Sequence, residues 1–120
     1  MGETVRTHSA AEFPVRNVSE IVRELTAVFG PSLLSFIMDV DNRSLQRWAG
    51  GYGIRYDSEK RVRDVDTVLT FLRQKEEPAT IRAWFMGMNP QLDDASPAEV
   101  MRDGLSRDVM AAARAYLNAA

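Results

Sequence analysis

The sequence contains no cysteine and only one histidine, and both shortages restrict its chemistry. Without cysteine the chain forms neither a disulfide nor a thiolate metal site. His8 lies in an N-terminal stretch without hydrophobic pattern, so a histidine-based acid, base or metal centre is not expected. The carboxylate pairs Asp64/Asp66 and Asp93/Asp94 adjoin no nucleophile, glycine-rich phosphate loop or ligand cluster. We therefore expect a protein that is not an enzyme and that uses no cofactor and no metal.

Long apolar runs are missing as well. The longest near-uninterrupted apolar stretch, 33–40, is broken by Ser35 and Asp39, and it falls far short of the roughly 20 residues that span a bilayer. The first residues lack the basic flank and apolar core of a signal peptide. An apolar content of 45% with 27% charged residues is ordinary for a soluble globular protein. These features predict a cytoplasmic protein that does not contact membranes.

Helical periodicity fills most of the sequence, whereas no segment of useful length alternates as a strand does. Helices are predicted over 17–29, 31–38, 42–49 and 57–75, from 78 through 85, from 96 to 104 and over 106–117, with a loop over 87–95. The expected fold class is therefore all-α.

Polar residues and glycines at the predicted helix ends support these bounds. Residues that favour N-caps precede five of the helices: Asn17, Asp41, Asp57, Ser96 and Ser106. Asn17 can form a capping box with Glu20, and Ser96-Pro97-Ala98-Glu99 combines a capping box with proline at the first helical position. Gly30 is expected to end the first helix in the left-handed conformation, and Gly104 to end the short helix that Ser96 begins.

The segment 31–50 has the pattern of a helix-turn-helix. Two short helices that cross at about 90–120° need a small residue at their contact, a turn that tolerates positive φ and apolar residues in the corner. Ser35 is the small residue, and Asp39 stands at the turn, where aspartate enters the left-handed region more readily than most residues. The apolar positions are Leu34, Met38, Val40, Leu45 and Trp48. A plain helical hairpin used for protein interaction stays open as the alternative.

With Leu45 and Trp48 buried, the outward face of the 42–49 helix carries side chains that read DNA bases: Asn42, Arg43, Ser44, Gln46 and Arg47. Arginine pairs with guanine, and asparagine or glutamine pairs with adenine. Downstream basic residues are candidates for phosphate contacts: Arg55, Lys60, Arg61 and Arg63, of which Arg61 and Arg63 are assigned to the DNA site. The tyrosines in the segment 52–56 could stack on bases, although a turn with packed aromatic rings is favoured.

The charges are divided unevenly along the chain. Residues 42–63 hold six basic and two acidic side chains, a balance of +4, whereas residues 64–120 hold six basic and nine acidic ones, a balance of −3. A basic middle and an acidic C-terminal half suggest two surfaces with different partners. The alternative is that these charges only solvate the helices.

The stretch 81–104 resembles the Xre/MbcA/ParS-like toxin-binding domain. That family has a tryptophan-bearing helix, an Asn-Pro pair and a leucine, followed by a Ser-Pro helix start with an acidic residue and a glycine stop. The matching residues stand at the right separations: Trp84, Asn89-Pro90, Leu92, Ser96-Pro97, Glu99 and Gly104. At Asp93-Asp94 family members more often have glycine. The segment 42–50 also resembles the family's recognition helix, so the resemblance covers residues 30–120.

The resemblance implies a helix-turn-helix unit followed by a small helical toxin-binding domain, in the antitoxin of a type II toxin–antitoxin pair. Such antitoxins are usually encoded beside a RES-domain toxin that consumes NAD; they cover its active site and repress their own operon by binding operator DNA. The implied toxin-contacting residues lie on the last two helices and the chain end: Arg102, Arg107, Tyr116, Leu117 and Ala120. The chain then divides into a flexible leader (1–14), a helix-turn-helix region (15–56), a connecting helix (57–77) and a toxin-binding domain (78–120).

Two other functions stay open: a helix-turn-helix regulator without a toxin, and a pure protein-interaction module. A homodimer, with a larger complex once the toxin is bound, is expected because one small module reads few base pairs and symmetric pairing doubles the contact with a palindromic site. Phe13, Val15 and the alanine-rich last helix are the candidates for its interface.

Overall fold

In the computed structural model, residues 16–119 are described. They form seven α-helices and one 3₁₀ turn: α1 Val18–Phe29, α2 Pro31–Met38, α3 Asn42–Ala49, α4 Tyr56–Leu72, α5 Pro78–Met86, the turn Pro90–Leu92, α6 Pro97–Arg102 and α7 Ser106–Asn118. All regular structure in this range is helical, which confirms the all-α prediction. The predictions made for the leader 1–14, His8, Phe13, Val15 and Ala120 fall outside the described residues.

The junction between α1 and α2 follows the sequence prediction in its position but not in its conformation. Gly30 has φ +83° and ψ +155°, so φ is positive as expected while ψ is extended and not left-handed helical. Pro31 explains the difference, because the proline ring disfavours helical ψ in the residue before it. This combination of angles is open almost only to glycine. At the start of α1, Asn17 accepts the backbone N–H of Ser19 at 2.8 Å, and the predicted capping box with Glu20 is not formed.

Two predicted N-caps are wrong by one or two positions. The long helix α4 begins at Tyr56 with Arg55 as its cap, so Asp57 lies within the first turn. There its negative charge interacts favourably with the positive end of the helix dipole. Helix α7 begins at Ser106 with Leu105 as its cap. That shift arises because α6 ends in a Schellman turn: Gly104 (φ +85°) donates to the Met101 carbonyl and Leu105 to that of Val100. The next helix then starts immediately.

One apolar core takes buried side chains from all seven helices of residues 16–119. Helix α1 packs against α2, α3, α4 and α5, while α6 packs against α2 and α7 packs against α4. The helices on the two sides of the predicted boundary at 77/78 therefore share this core. No single helix in this range is long and apolar enough to cross a membrane; α1 and α2 pass that test only as a pair bent by 119°.

An aromatic cluster joins the N-terminal and C-terminal helices inside this core. The ring of Phe85 in α5 is fully buried. It meets Phe29 of α1 edge-on at 4.9 Å between centroids and Trp84 edge-on at 5.2 Å. Edge-to-face pairs at this distance are favourable beyond the area that they bury.

Replacing Phe85 with alanine is expected to lower the free energy of unfolding by about 3–5 kcal/mol, because it leaves a cavity between α1 and α5. Urea denaturation followed by circular dichroism measures the change. Met88→Ala is the control: its side chain is 81% exposed, so the expected change is within about 0.5 kcal/mol. Equal stability of Phe85→Ala and the wild type would contradict this role of the cluster.

Candidate interfaces for nucleic acid and protein

The turn between α2 and α3 has the conformation that the helix-turn-helix pattern predicts. Asp39 lies in the left-handed region (φ +56°, ψ +47°) and donates its N–H to the Phe36 carbonyl, while Val40 donates to that of Ser35. These two bonds close α2 as a left-handed turn closes a helix. Ser35 Oγ is buried without a hydrogen-bond partner in the described residues, so this serine serves the contact through its small size.

Helix α3 is fixed at both ends by side chains. The carboxylate of Asp41 accepts the backbone N–H of Ser44 at 2.9 Å. This bond, a side-chain bond to Ser44 and the nearby charges of Arg43 and Arg47 lower the pKa of Asp41. A lowered folded-state pKa means that the stabilisation by this cap is present at neutral pH and is lost only as the pH falls through the acid range. At the other end, Arg23 of α1 donates to the Ala49 carbonyl at 2.6 Å.

The exposed face of α3 carries the predicted base-reading residues. Leu45 and Trp48 are buried in the core. Four of the predicted residues are exposed and one, Ser44, is half-buried: Asn42, Arg43, Ser44, Gln46 and Arg47. Positions four apart lie one above the other on a helix, so two parallel rows, one of amides and one of guanidinium groups, point away from the core.

The two arginines predicted to hold phosphates are bound within the protein. Arg61 of α4 donates to the Arg102 carbonyl at 3.1 Å. Arg63 pairs with Glu59 at 2.9 Å and donates to the Arg16 carbonyl at 3.1 Å. Both guanidinium groups thus connect α4 to neighbouring segments, and a phosphate would have to compete with these acceptors.

Arg102, predicted from the resemblance to contact a toxin, links α6 to the turn between α2 and α3. Its guanidinium pairs with the Asp39 carboxylate at 2.7 Å, lies 4.5 Å from the centroid of the Phe36 ring and donates to the Phe36 carbonyl. The left-handed turn residue that precedes α3 is therefore held by a side chain from the C-terminal half.

The other predicted toxin-contacting residues that the structure describes differ in exposure. Arg107 is exposed and has no hydrogen bond or ion pair to a described residue, whereas Leu117 is only 6% exposed and belongs to the core. Tyr116 is half-buried beside Trp84, with 6.0 Å between the ring centroids. Burial, and then the nearby negative charge of Glu76, raise the pKa of the Tyr116 hydroxyl.

The loop between α5 and α6 shapes a groove beside Tyr116. Asn89 is buried, and its side chain accepts the Gln91 N–H at 2.9 Å while its own N–H donates to Ala95. Asp93 and Asp94 have φ +55° and +69°, a left-handed region that aspartate enters more readily than most residues. The groove is lined by Trp84, Met88, Asn89, Pro90, Gln91, Ala112, Ala115, Tyr116 and Ala119.

Sequence reasoning missed an exposed apolar patch at the C-terminal end of α5. Met86 and Met88 are exposed, and with Leu33 and Phe36 of α2 they line a second groove against α6. Met88 would continue the apolar face of Ile81 and Phe85 if the helix went on, whereas Met86 lies to one side of that face. The helix ends at Met86, so the chain turns away before Met88 reaches the core.

Among residues 16–119 no three carboxylate or histidine side chains lie close enough to hold a metal ion.

No family model matches the sequence, and no curated protein matches it. A solved structure does. One chain of the crystal structure of the M. tuberculosis MbcT-MbcA toxin-antitoxin complex superposes with a TM-score of 0.71 at 23% sequence identity, over 84% of this chain and 94% of that chain. The two chains share a fold. The resemblance implied a toxin–antitoxin fold, and the solved chain that shares this protein's fold comes from a toxin–antitoxin complex.

Removing the Arg102 side chain is expected to lower the free energy of unfolding by about 1–2 kcal/mol, because the partly exposed ion pair and the contact with Phe36 are lost together. The midpoint of chemical denaturation measures the effect. Arg107→Ala removes the same charge from an exposed side chain without such contacts and is expected to leave the midpoint unchanged. If both variants shift it equally, the contacts of Arg102 with the turn do not stabilise the fold.

Proposed function

We propose that this protein is the antitoxin of a type II toxin–antitoxin pair, which binds and neutralises a RES-domain, NAD-consuming toxin and represses its own operon. The observation that carries the proposal is the fold shared with a chain of a toxin–antitoxin complex. The sequence resemblance over 81–104 points to the same function, and it rests on a motif and not on the superposition of the two structures.

The support for toxin binding lies on α7 and the neighbouring groove. Arg107 is exposed and uncommitted among the described residues, and Tyr116 lines a groove whose floor consists of small and apolar side chains such as Ala112 and Ala115. Aromatic and arginine side chains at the edge of such a groove are favoured in protein interfaces. We therefore assign toxin contact to Arg107 and Tyr116, and we keep Ala120, which the resemblance implies, as a further contact. Arg102 and Leu117, which the resemblance also implies, are engaged in contacts within the protein, so we leave them out of the proposed contact surface.

The support for DNA binding is the exposed polar face of α3. Arg43 and Arg47 extend from one side of a helix whose other side is buried, which is the arrangement that lets a recognition helix enter the major groove. Binding to a palindromic operator in the cytoplasm would use a homodimer, because each copy presents one α3. Repression of the operon then follows from occupancy of the operator.

A helix-turn-helix regulator without a toxin is the second candidate. The capped and exposed α3 favours it equally, since that face serves either function. The two differ in the C-terminal half: a regulator without a toxin has no need of α7 as a binding surface. A RES-domain gene beside that of this protein would favour the antitoxin.

The double variant Arg43→Ala/Arg47→Ala is expected to lose about 1–3 kcal/mol of specific binding for each guanine contact removed. Fluorescence anisotropy with the duplex upstream of the operon, compared with an unrelated duplex, measures this loss. Lys75→Ala is the control, because Lys75 is exposed in the turn that follows α4. Specific binding by the double variant at wild-type affinity would contradict the assignment of α3.

Neutralisation is expected to depend on α7 and not on α3. Deletion after Gly104 would remove four buried side chains of α7 (Val109, Ala112, Ala113 and Leu117) and so would unfold the protein. The surface variant Arg107→Glu/Tyr116→Ala is the sharper choice, and it should weaken toxin binding by about 2 kcal/mol or more.

Co-expression with the RES-domain protein encoded beside this one, scored by growth, tests this expectation. Arg43→Ala/Arg47→Ala serves as the control and should rescue growth fully, while Arg107→Glu/Tyr116→Ala should not. Arg107→Glu alone changes only an exposed side chain, so it should unfold at the temperature of the wild type and should also impair rescue. Rescue by the α7 variant, or failure of the α3 variant, would overturn the division of labour.

A further inference from the structure

The segment between α3 and α4, residues 50–55, and the first residue of α4 expose aromatic rings where the sequence favoured packed ones. Tyr52 is 68% exposed and Tyr56 is 78% exposed, so the prediction of packed rings is wrong. Ile54 between them is half-buried against the core. The segment is thus held to the protein by Ile54 and presents Tyr52, Arg55 and Tyr56 outward. We call residues 52–56 the connector.

The connector lies against the exposed face of α3. Tyr52 donates its backbone N–H to the Arg47 carbonyl at 2.9 Å. A Cβ atom added at Gly53 would stand 3.8 Å from the Arg47 guanidinium, and one added at Gly50 would stand 3.3 Å from the Tyr52 ring. The guanidinium row of α3 therefore continues directly into the connector.

The basic side chains of residues 42–63 fall into two groups. Those on α4 are occupied: Lys60 pairs with Asp64 at 2.9 Å, and Arg61 and Arg63 bind the acceptors described above. The other three have no hydrogen bond or ion pair to any residue in 16–119: Arg43, Arg47 and Arg55. All three of these free cations lie on α3 and the connector.

The chemistry of this surface fits a phosphodiester backbone. A guanidinium group donates to phosphate oxygens in a fork, and a neutral tyrosine hydroxyl donates a further hydrogen bond. Such contacts position a protein on a duplex without reading its sequence. The acid closest in sequence to α3, Asp41, is already engaged as its N-cap.

We propose that the connector binds the phosphate backbone of duplex DNA beside the groove that α3 enters, with Arg55 and the Tyr52 hydroxyl as donors. The proposal rests on the proposed DNA binding by α3. Of the basic residues that the sequence offers for phosphate contacts after α3, it keeps Arg55, and it adds the Tyr52 hydroxyl.

The test is the affinity of the full-length protein for the upstream duplex and for an unrelated duplex of equal length, measured by anisotropy over a series of salt concentrations. Tyr52→Phe/Arg55→Ala removes two donors and keeps the ring that packs on Gly50. It is expected to weaken binding of both duplexes by a similar factor of about 10 and to reduce the slope of log affinity against log salt by about one.

Lys75→Ala is the matched control. It removes one positive charge from the turn after α4. The 17-residue helix, about 25 Å long, separates that turn from the connector, and this distance is well beyond the Debye length of about 8 Å at physiological salt. Its affinity for both duplexes should equal that of the wild type, and all variants should unfold at the wild-type temperature.

Four results would overturn the proposal. An unchanged affinity of Tyr52→Phe/Arg55→Ala, with Arg43→Ala still defective on the upstream duplex, would remove the connector from the interface and leave α3 in place. A loss confined to the upstream duplex would mean that the connector reads bases. An equal loss of affinity in Lys75→Ala would mean that the affinity depends only on the net charge of the protein and not on the position of Arg55. Failure of the wild type to bind either duplex at low salt would overturn the proposed DNA binding itself.

Discussion

The burial of α1 is the constraint on which the other helices depend. Its apolar residues are not confined to a narrow stripe, because Ile21 and Val22 are both buried, as are Leu25, Val28 and Phe29. Each such side chain contributes about 1.5–3 kcal/mol when fully buried, and four helices, α2 to α5, are used to cover them. Because α1 packs against α2 and α3 as well as α4 and α5, the segment 31–50 and the C-terminal half share one core.

The same sharing places α6 beside the turn that orients α3. Arg102 reaches that turn at its left-handed residue, Asp39, and lies over the neighbouring ring of Phe36. Its own carbonyl accepts a hydrogen bond from Arg61 of α4. Three elements from different parts of the chain therefore meet at the point where the direction of α3 is set. The surface proposed for DNA and the surface proposed for a toxin are two sides of one packed body.

Residues close in sequence predicted much of this fold. Periodicity fixed α1, α2 and α3 to within a residue, and the Ser96–Glu99 capping box is formed with both of its hydrogen bonds. Aspartate at position 39 predicted a left-handed turn correctly because a short polar side chain tolerates positive φ. The caps at Asp57 and Ser106 were wrong because a neighbouring residue began the helix first. Local patterns leave such ends ambiguous by one or two residues.

The sequence by itself determined the helical class, the polar face of α3 and the absence of cysteine chemistry, since each follows from residue types and their spacing. Only the tertiary structure decided which charged and aromatic side chains remain free. Arg55 and Arg61 look equivalent in the sequence, yet Arg61 finds a carbonyl 41 residues away while Arg55 finds no acceptor among residues 16–119. Long-range contacts of this kind depend on how helices pack against one another. Periodicity reports which face of a helix is buried, but it does not report what that face or its edges will meet.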